Sequence, residues 1–149
     1  MRRAVTVAII AALTAAAGFG AVTLIALEIN GVAVLRTTGI DGNERRTRVW
    51  FAEDDGALWI EAATASRPFY VDLAVRPELV VEIHSSPLDQ HPTMLRGRAE
   101  LVPEPGGHDR IRALLAARYG WADAWIALLQ DTSASRAVRI AVESAAPEQ

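Results

Sequence analysis

Two Asp-Gly pairs divide the stretch from residue 32 to residue 63 into three short segments. The pairs are Asp41-Gly42 and Asp55-Gly56, and Asp-Gly supplies the positive backbone φ that tight hairpin turns require. The three segments, 32–38, 46–53 and 57–63, alternate or are rich in β-branched and aromatic residues. Strands joined by turns this short run antiparallel. The sequence therefore predicts an antiparallel meander in this half of the chain.

The rest of the chain adds strands and a few helices. Strands are predicted over 79–85, 93–102 and 137–143, and a short helix over 68–75, where Pro68 fits the first turn. Apolar residues at helical spacing predict a helix over 108–119 and a second one that carries Trp121 and Trp125. Six short strands with few helices indicate a mainly β (α+β) domain, built as a closed or partly open antiparallel barrel.

An uncharged apolar segment precedes this domain. It runs over 4–27, behind Arg2 and Arg3, and as a helix it would be about 36 Å long, enough to cross a bilayer core. We interpret residues 1–29 as an N-terminal transmembrane anchor. A cleaved signal peptide and a buried helix are the alternatives. The barrel domain then covers 31–144, and 145–149 is a short tail.

The charge and the absence of cysteine argue against several classes of function. The net charge is −3 and all basic residues are arginine, so nucleic-acid binding, which needs a basic face, is not expected. The chain has no cysteine, which excludes disulfides and thiolate metal sites. Arg2 and Arg3 favour a cytoplasmic N-terminus and an extracytoplasmic domain. Arginines soon after the segment make that preference weak.

The second predicted strand carries the densest polar cluster. Arg45 and Arg46 should point to opposite sides of the sheet, with Thr47 between Arg46 and Arg48. Guanidinium forks match phosphate and carboxylate geometry, so the cluster predicts an anion site. The alternative is a solvated sheet edge whose arginines pair with neighbouring glutamates. Trp50 could wall a flat ligand, although tryptophans more often belong to a core.

No catalytic motif is evident. The three histidines, at 84, 91 and 108, lack metal-ligand spacing, so no metal site is expected. Neither a nucleophile elbow nor a nucleotide-binding glycine motif is present. The sequence therefore identifies no catalytic residue.

Residues 37–51 resemble a motif of the deazaflavin (F420)-dependent nitroreductase family, which belongs to the FMN-binding split β-barrels. That family carries Thr-Thr-Gly-x-x-Ser-Gly-x-x-Arg-x-Thr-Pro. The matching residues here are Thr37, Thr38, Gly39, Gly42, Arg45 and Thr47. Asp41 replaces the usual Ser, and Arg48 the usual Pro. The segment 69–77 resembles the family's Trp-Tyr-x-Asn-Leu-x-Ala-Asn-Pro, with Tyr70 matched, and 119–123 resembles its helix pair.

The resemblance covers roughly 32–143 and implies a six-stranded antiparallel split β-barrel with flanking helices. Its cleft would hold F420 or FMN and transfer hydride to a quinone, nitroaromatic or enone. The residues expected at the cofactor are Thr38, Arg45, Arg46, Thr47, Trp50 and Tyr70. The family also implies a homodimer.

A membrane anchor fits a lipophilic acceptor such as a membrane quinone. An exported domain fits F420 less well, because reduced F420 is generated in the cytoplasm. The alternative is a non-catalytic, membrane-tethered split barrel that binds flavin, haem, a lipid or a protein partner. Both hypotheses share the fold and differ in chemistry.

Overall fold

The computed structural model describes residues 2–28, 30–86 and 88–143. The predicted tail, 145–149, lies outside them. In chain order the elements are α1 (Arg2–Glu28), β1 (Val32–Thr38), β2 (Glu44–Val49), β3 (Phe51–Asp54), β4 (Ala57–Ala62), α2 (Pro68–Val75), β5 (Glu78–His84), β6 (Thr93–Leu101), α3 (Gly106–Tyr119), α4 (Trp121–Leu129) and β7 (Arg136–Val142). The bounds of β1 and α2 coincide with the predicted ones.

The described strands form one antiparallel sheet in the order β2-β1-β5-β6-β7-β4-β3. Its two edges, β2 and β3, are joined by the single residue Trp50. A sheet whose opposite edges are one residue apart must curl until they meet. The result is the curled sheet of a split barrel with flanking helices.

The prediction of six strands was wrong, because the described chain has seven. The predicted strand 46–53 is two strands, β2 and β3, separated at Trp50. Where β3 begins, the Tyr119 hydroxyl is hydrogen-bonded to the Phe51 backbone. It accepts from the Phe51 N–H at 3.2 Å and lies 3.1 Å from the carbonyl oxygens of Phe51 and Gly31, either of which can accept its proton.

The apolar core has two parts on opposite sides of the sheet. Inside the curl, alternate residues of the strands pack against α2, with Leu35, Ile60 and Val81 fully buried. Outside it, α3 and α4 cover the sheet through a second cluster that includes Ile111 and Leu115. Alternation along β3, β4 and β7 therefore supplies both clusters.

Helix α1 projects from this domain and touches it through its C-terminal half. Its segment Ile9–Glu28 is long and apolar enough to cross a membrane, as a signal sequence would also be, and the 18-residue window within it is 6% buried. That low burial argues against the alternative of a buried core helix. Ala26 is the fully buried contact with the domain.

Candidate functional site

The sheet opens between β2 and β4. Along one edge β2 pairs with β1, and its other edge carries no strand in the described chain. β3 pairs with β4 only as far as Ile60, so Glu61 and Ala62 pair on one side alone, with β7. The unpaired stretches border a cleft of about 380 Å³, within the roughly 300–1,000 Å³ of ligand pockets.

Four separate parts of the chain line this cleft. They are β2 with Trp50, the end of β4, the start of α2, and the residue that follows α4. The lining residues are Thr47, Arg48, Val49, Trp50, Glu61, Ala63, Arg67, Pro68, Phe69 and Gln130. Only the tertiary fold brings these parts together.

Two arginines are among the lining residues, and the side chain of one of them, Arg48, is on the outer face of β2 with that of Arg46. Arg48 is held by Glu28 of α1, with nitrogen–oxygen distances of 2.6 and 2.8 Å. The exposed Arg67 side chain makes no hydrogen bond or ion pair within the described residues. Arg67 is the N-cap of α2, with Pro68 after it, so it adjoins the positive end of a helix dipole. An uncommitted guanidinium in that place suits a phosphate or carboxylate.

Trp50 provides a fixed aromatic wall. Its ring stacks on Tyr119 with centroids 4.3 Å apart and an angle of 10° between planes. Its indole N–H donates to the Leu27 carbonyl at 3.0 Å. Phe69, 4% exposed, adds a second aromatic side chain from α2. Both rings are held by the fold, so the lining of the cleft includes two aromatic side chains in fixed positions.

A charged network supports the β4 side of the cleft. Arg112 donates to Glu61 at 3.0 Å and to both oxygens of Asp123 at 2.6 and 2.7 Å. Burial acts to lower the pKa of Arg112, but the two carboxylates outweigh it and raise that pKa above its ordinary value. Since Glu61 lines the cleft, this network fixes the position of a lining carboxylate.

Thr47 and Trp50, two of the residues expected at the cofactor, line the cleft. Arg45 does not. Its guanidinium lies beside the β1–β2 turn, 3.3 Å from Asp41 and 3.7 Å from the buried carboxylate of Asp72 on α2. Arg45 therefore links β2 to α2, the two elements on either side of the cleft.

The other three expected residues also lie outside the cleft lining. Arg46 is on the outer face of the sheet, 2.6 Å from the buried carboxylate of Glu82. Tyr70 packs against the core inside the curl. Thr38 borders a larger groove of about 680 Å³ over β1, β5 and β6.

That larger groove is a weaker candidate despite its size. Its lining contains no aromatic residue. Of its two arginines, Arg36 is ion-paired with Glu44 at 2.8 Å, and the Arg96 side chain makes no hydrogen bond or ion pair among the described residues. Pairing with the Glu44 carboxylate raises the pKa of Arg36 and lowers that of Glu44. The 380 Å³ cleft differs from it in having fixed aromatic rings and unpaired strand edges beside its unpaired arginine, Arg67.

Sequence reasoning missed Arg67, Glu61 and Gln130 as lining residues. Arg67 precedes Pro68 at a predicted helix start, which is a local indication that could have drawn attention to it. Glu61 and Gln130 carry no such indication, because their place depends on the pairing of β4 with β7. Arg48, a departure from the family motif, lies in the cleft as well.

No protein-family model matches the chain, and no curated protein matches it in sequence. Solved structures do resemble it. An F420 reductase is 21% identical, with a TM-score of 0.58 over 79% of this chain and 90% of that one. A FAD-binding protein from Mesorhizobium loti is 19% identical, with a TM-score of 0.55 over 80% and 86%. A heme binding protein from Mycobacterium smegmatis is 20% identical, with a TM-score of 0.58 over 82% and 51%. At these identities the similarity shows the fold, an α+β split barrel.

Proposed function

We propose that this chain is a membrane-anchored oxidoreductase that holds F420 or FMN in the 380 Å³ cleft. The observation that carries the proposal is the meeting of an unpaired strand edge, fixed aromatic rings and the uncommitted Arg67 in one cleft. The resemblance of residues 37–51 to the deazaflavin-dependent nitroreductases and the F420 reductase of like fold support it.

The lining residues fit such a cofactor. Trp50 and Phe69 would lie beside its ring system, and Arg67 would bind its phosphate. The Thr47 hydroxyl can donate or accept. Because β2 is an edge strand, every second residue directs its unpaired backbone N–H and C=O groups away from the sheet. These groups would orient the ring edge, where flavins and deazaflavins carry polar atoms.

Bound and reduced, a flavin or deazaflavin supplies a hydride, so the protein has to bind, orient and exclude water. This matches a cleft without a described nucleophile–base pair. Arg45 would act as a positioning residue through Asp72. Thr38, Arg46 and Tyr70 would have no direct contact with the cofactor. We propose a quinone, nitroaromatic or enone as the acceptor, and a homodimer as the assembly.

A titration of the full-length protein in detergent with F420 and with FMN tests the proposal. The absorbance spectrum of the protein as isolated distinguishes the two cofactors and haem. Binding of one of them in the micromolar range is expected. If neither binds below about 100 μM, a free energy of roughly −5 to −6 kcal/mol, the enzyme proposal fails.

Arginine variants locate the phosphate. We expect Arg67→Ala to weaken cofactor binding about 10- to 100-fold, the worth of a charge-assisted hydrogen bond at roughly 1.5–3 kcal/mol. Arg46→Ala, on the outer face, is the matched control and should leave affinity within about twofold, well under 1.4 kcal/mol. If Arg46→Ala loses more cofactor affinity than Arg67→Ala, the phosphate is bound on the outer face of the sheet and the proposed site is wrong.

A second candidate is a tethered module that binds haem, favoured by the heme binding protein of similar fold. Haem iron is commonly held by His, Cys, Met or Tyr. None of these residue types lines the cleft in the described chain. The flavin or deazaflavin proposal therefore fits the lining better, and a Soret band in the isolated protein would reverse that preference.

We also propose a single-pass topology in which α1 crosses the membrane. Arg2 and Arg3 favour a cytoplasmic N-terminus and an extracytoplasmic domain. An extracytoplasmic domain would favour FMN, whereas a cytoplasmic one would favour F420. A reporter fused after Gln149 decides between the two sides, since a cytoplasmic signal contradicts the proposed orientation.

A further inference from the structure

Helix α4 has an outward face without a polar side chain. Every residue of α4 is described, and its exposed side chains are Trp121, Ala124, Ala127, Leu128 and Leu129. Leu128 is 80% exposed and Trp121 51%. A surface helix normally directs polar residues to solvent. The outward face of α4 is therefore built to contact something apolar.

The one charged residue of α4 is turned away from that face. Asp123 is 6% exposed and accepts two hydrogen bonds from Arg112. The helix thus places its single carboxylate where a cation neutralises it. No side chain on the outward face of α4 itself is polar or charged.

α4 also packs directly on the apolar helix α1. The Trp125 indole N–H donates to the Thr23 hydroxyl at 3.1 Å, and its ring lies 5.3 Å from that of Phe19. The exposed α1 residues beside this contact are apolar, among them Leu24 and Ile25 at 67% and 58%. The outward face of α4 therefore continues the apolar surface of α1.

The position of this contact along α1 indicates how deep α4 would lie in a bilayer that α1 crosses. With a rise of about 1.5 Å per residue, Thr23 and Phe19 lie roughly 6 and 12 Å before Leu27, where the apolar segment ends. The 4–27 segment is about 36 Å long against a hydrocarbon core of about 30 Å. If α1 spans, α4 lies within the boundary between headgroups and acyl chains, where interfacial helices bury about 5–10 Å.

We propose that α4 is a second membrane-contacting element, lying in the headgroup–acyl boundary of the bilayer that α1 crosses. The partner is the lipid bilayer itself. Trp50, Trp121 and Trp125 then stand at the level where tryptophans prefer to be in membranes. The inference rests on the proposed insertion of α1 and is independent of the cofactor.

Site-specific fluorescence quenching tests this placement. Because the chain has no cysteine, single-cysteine variants of the full chain can each be labelled with one fluorophore. The three are Leu128→Cys on α4, Leu13→Cys on exposed α1 and Ala141→Cys on the exposed part of β7. They are reconstituted into phosphatidylcholine–phosphatidylglycerol vesicles containing a nitroxide either near the headgroup or deep in the acyl chain. Iodide reports on exposure to water.

We expect the Leu128→Cys label to be quenched severalfold more by the shallow nitroxide than the Ala141→Cys label. The Leu13→Cys label should respond most to the deep nitroxide, and the Ala141→Cys label to iodide. All three side chains replaced are exposed, so circular dichroism should match the parent protein. This pattern places α4 at the boundary and α1 across the membrane.

Three other outcomes overturn the inference, and each has a distinct meaning. If iodide quenches the Leu128→Cys label while the deep nitroxide quenches the Leu13→Cys label, α1 spans the membrane but α4 lies in water. Iodide quenching at both positions refutes the membrane anchor together with this inference. Protection at Leu128 from iodide and from both nitroxides would show that protein, such as a second copy, covers α4.

Discussion

Among single residues, Tyr119 has the largest influence on the shape of the domain. Its hydroxyl contacts the backbone of Phe51 and Gly31, and its ring supports Trp50. One side chain therefore holds the backbone where β3 begins and fixes a wall of the cleft. The sequence offered no indication of this role, because Tyr119 comes 68 residues after Phe51.

We expect Tyr119→Phe to lower the free energy of unfolding by about 1–3 kcal/mol, because buried backbone groups lose their partner. Burial raises the pKa of Tyr119 above the roughly 10 of an unfolded tyrosine. Its stabilisation is therefore present below about pH 10 and is lost as pH rises through the raised pKa. Denaturant unfolding at neutral and alkaline pH measures both effects.

The matched control is Tyr70→Phe, since the Tyr70 hydroxyl makes no hydrogen bond among the described residues. This variant should stay within about 0.5 kcal/mol of the parent. Equal losses in the two variants would contradict the role assigned to the Tyr119 hydroxyl.

Arg112 is the second residue with a predicted large effect. Arg112→Leu leaves the side chains of Glu61 and Asp123, 13% and 9% exposed, without their cation. We expect a loss of about 3–5 kcal/mol in unfolding free energy and weaker cofactor binding, because Glu61 lines the cleft. Arg112→Lys should lose less, since it keeps the charge but not the fork. Full stability of Arg112→Leu would show that the two carboxylates take up protons or water at no cost.

At the level of elements, local sequence patterns predicted which side chains share a face of a strand. Alternation placed Arg46 and Arg48 on one face and Thr47 on the other, and β2 has that burial pattern. The partner of each arginine could not be predicted this way. Arg46 meets Glu82 because β5 lies beside β1, and Arg48 meets Glu28 because α1 docks there. The partner of each arginine therefore depends on the packing of elements that are distant in the chain, which local sequence patterns do not predict.

Close packing of β6 on β7 gives an element-scale prediction. A Cβ at Gly97 would lie 2.7 Å from Ile140 Cγ2 and 2.9 Å from the Ala141 carbonyl oxygen. We expect Gly97→Ala to cost about 1–3 kcal/mol of unfolding free energy through overpacking. Gly106→Ala, where a Cβ meets open space, is the control and should stay within about 0.5 kcal/mol. A neutral Gly97→Ala would mean that the two strands separate easily.

At the scale of the whole molecule, α1 is part of the domain as well as an apolar segment. Its last turns contact Arg48, Trp50 and Trp125, and two of these residues line the cleft. The cleft therefore lies where α1 leaves the domain, and Gln130 after α4 is on its rim. If the bilayer covers α1 and α4, a lipid-soluble acceptor reaches the cleft without crossing water.

Removing α1 tests this coupling. A chain that begins at Asn30 leaves the indole N–H groups of Trp50 and Trp125 without their acceptors. We expect it to be less stable by at least about 2 kcal/mol, roughly 1 kcal/mol for each lost hydrogen bond, when both chains are unfolded in the same detergent. Equal stability would show that α1 is only a tether.

The position of β7 also determines when the cleft can exist. β7 joins β6 to β4 and pairs Ala141 with Ala57, so the sheet that carries both sides of the cleft becomes continuous only when this late strand pairs. Long-range pairings of this kind form slowly, because loop-closure entropy is lost before the contacts compensate for it. A nascent chain that has emerged from the ribosome only as far as α4 would therefore lack the continuous sheet that positions the cleft. If α1 is the membrane anchor proposed above, the growing chain would already be held at the bilayer when β7 is synthesised.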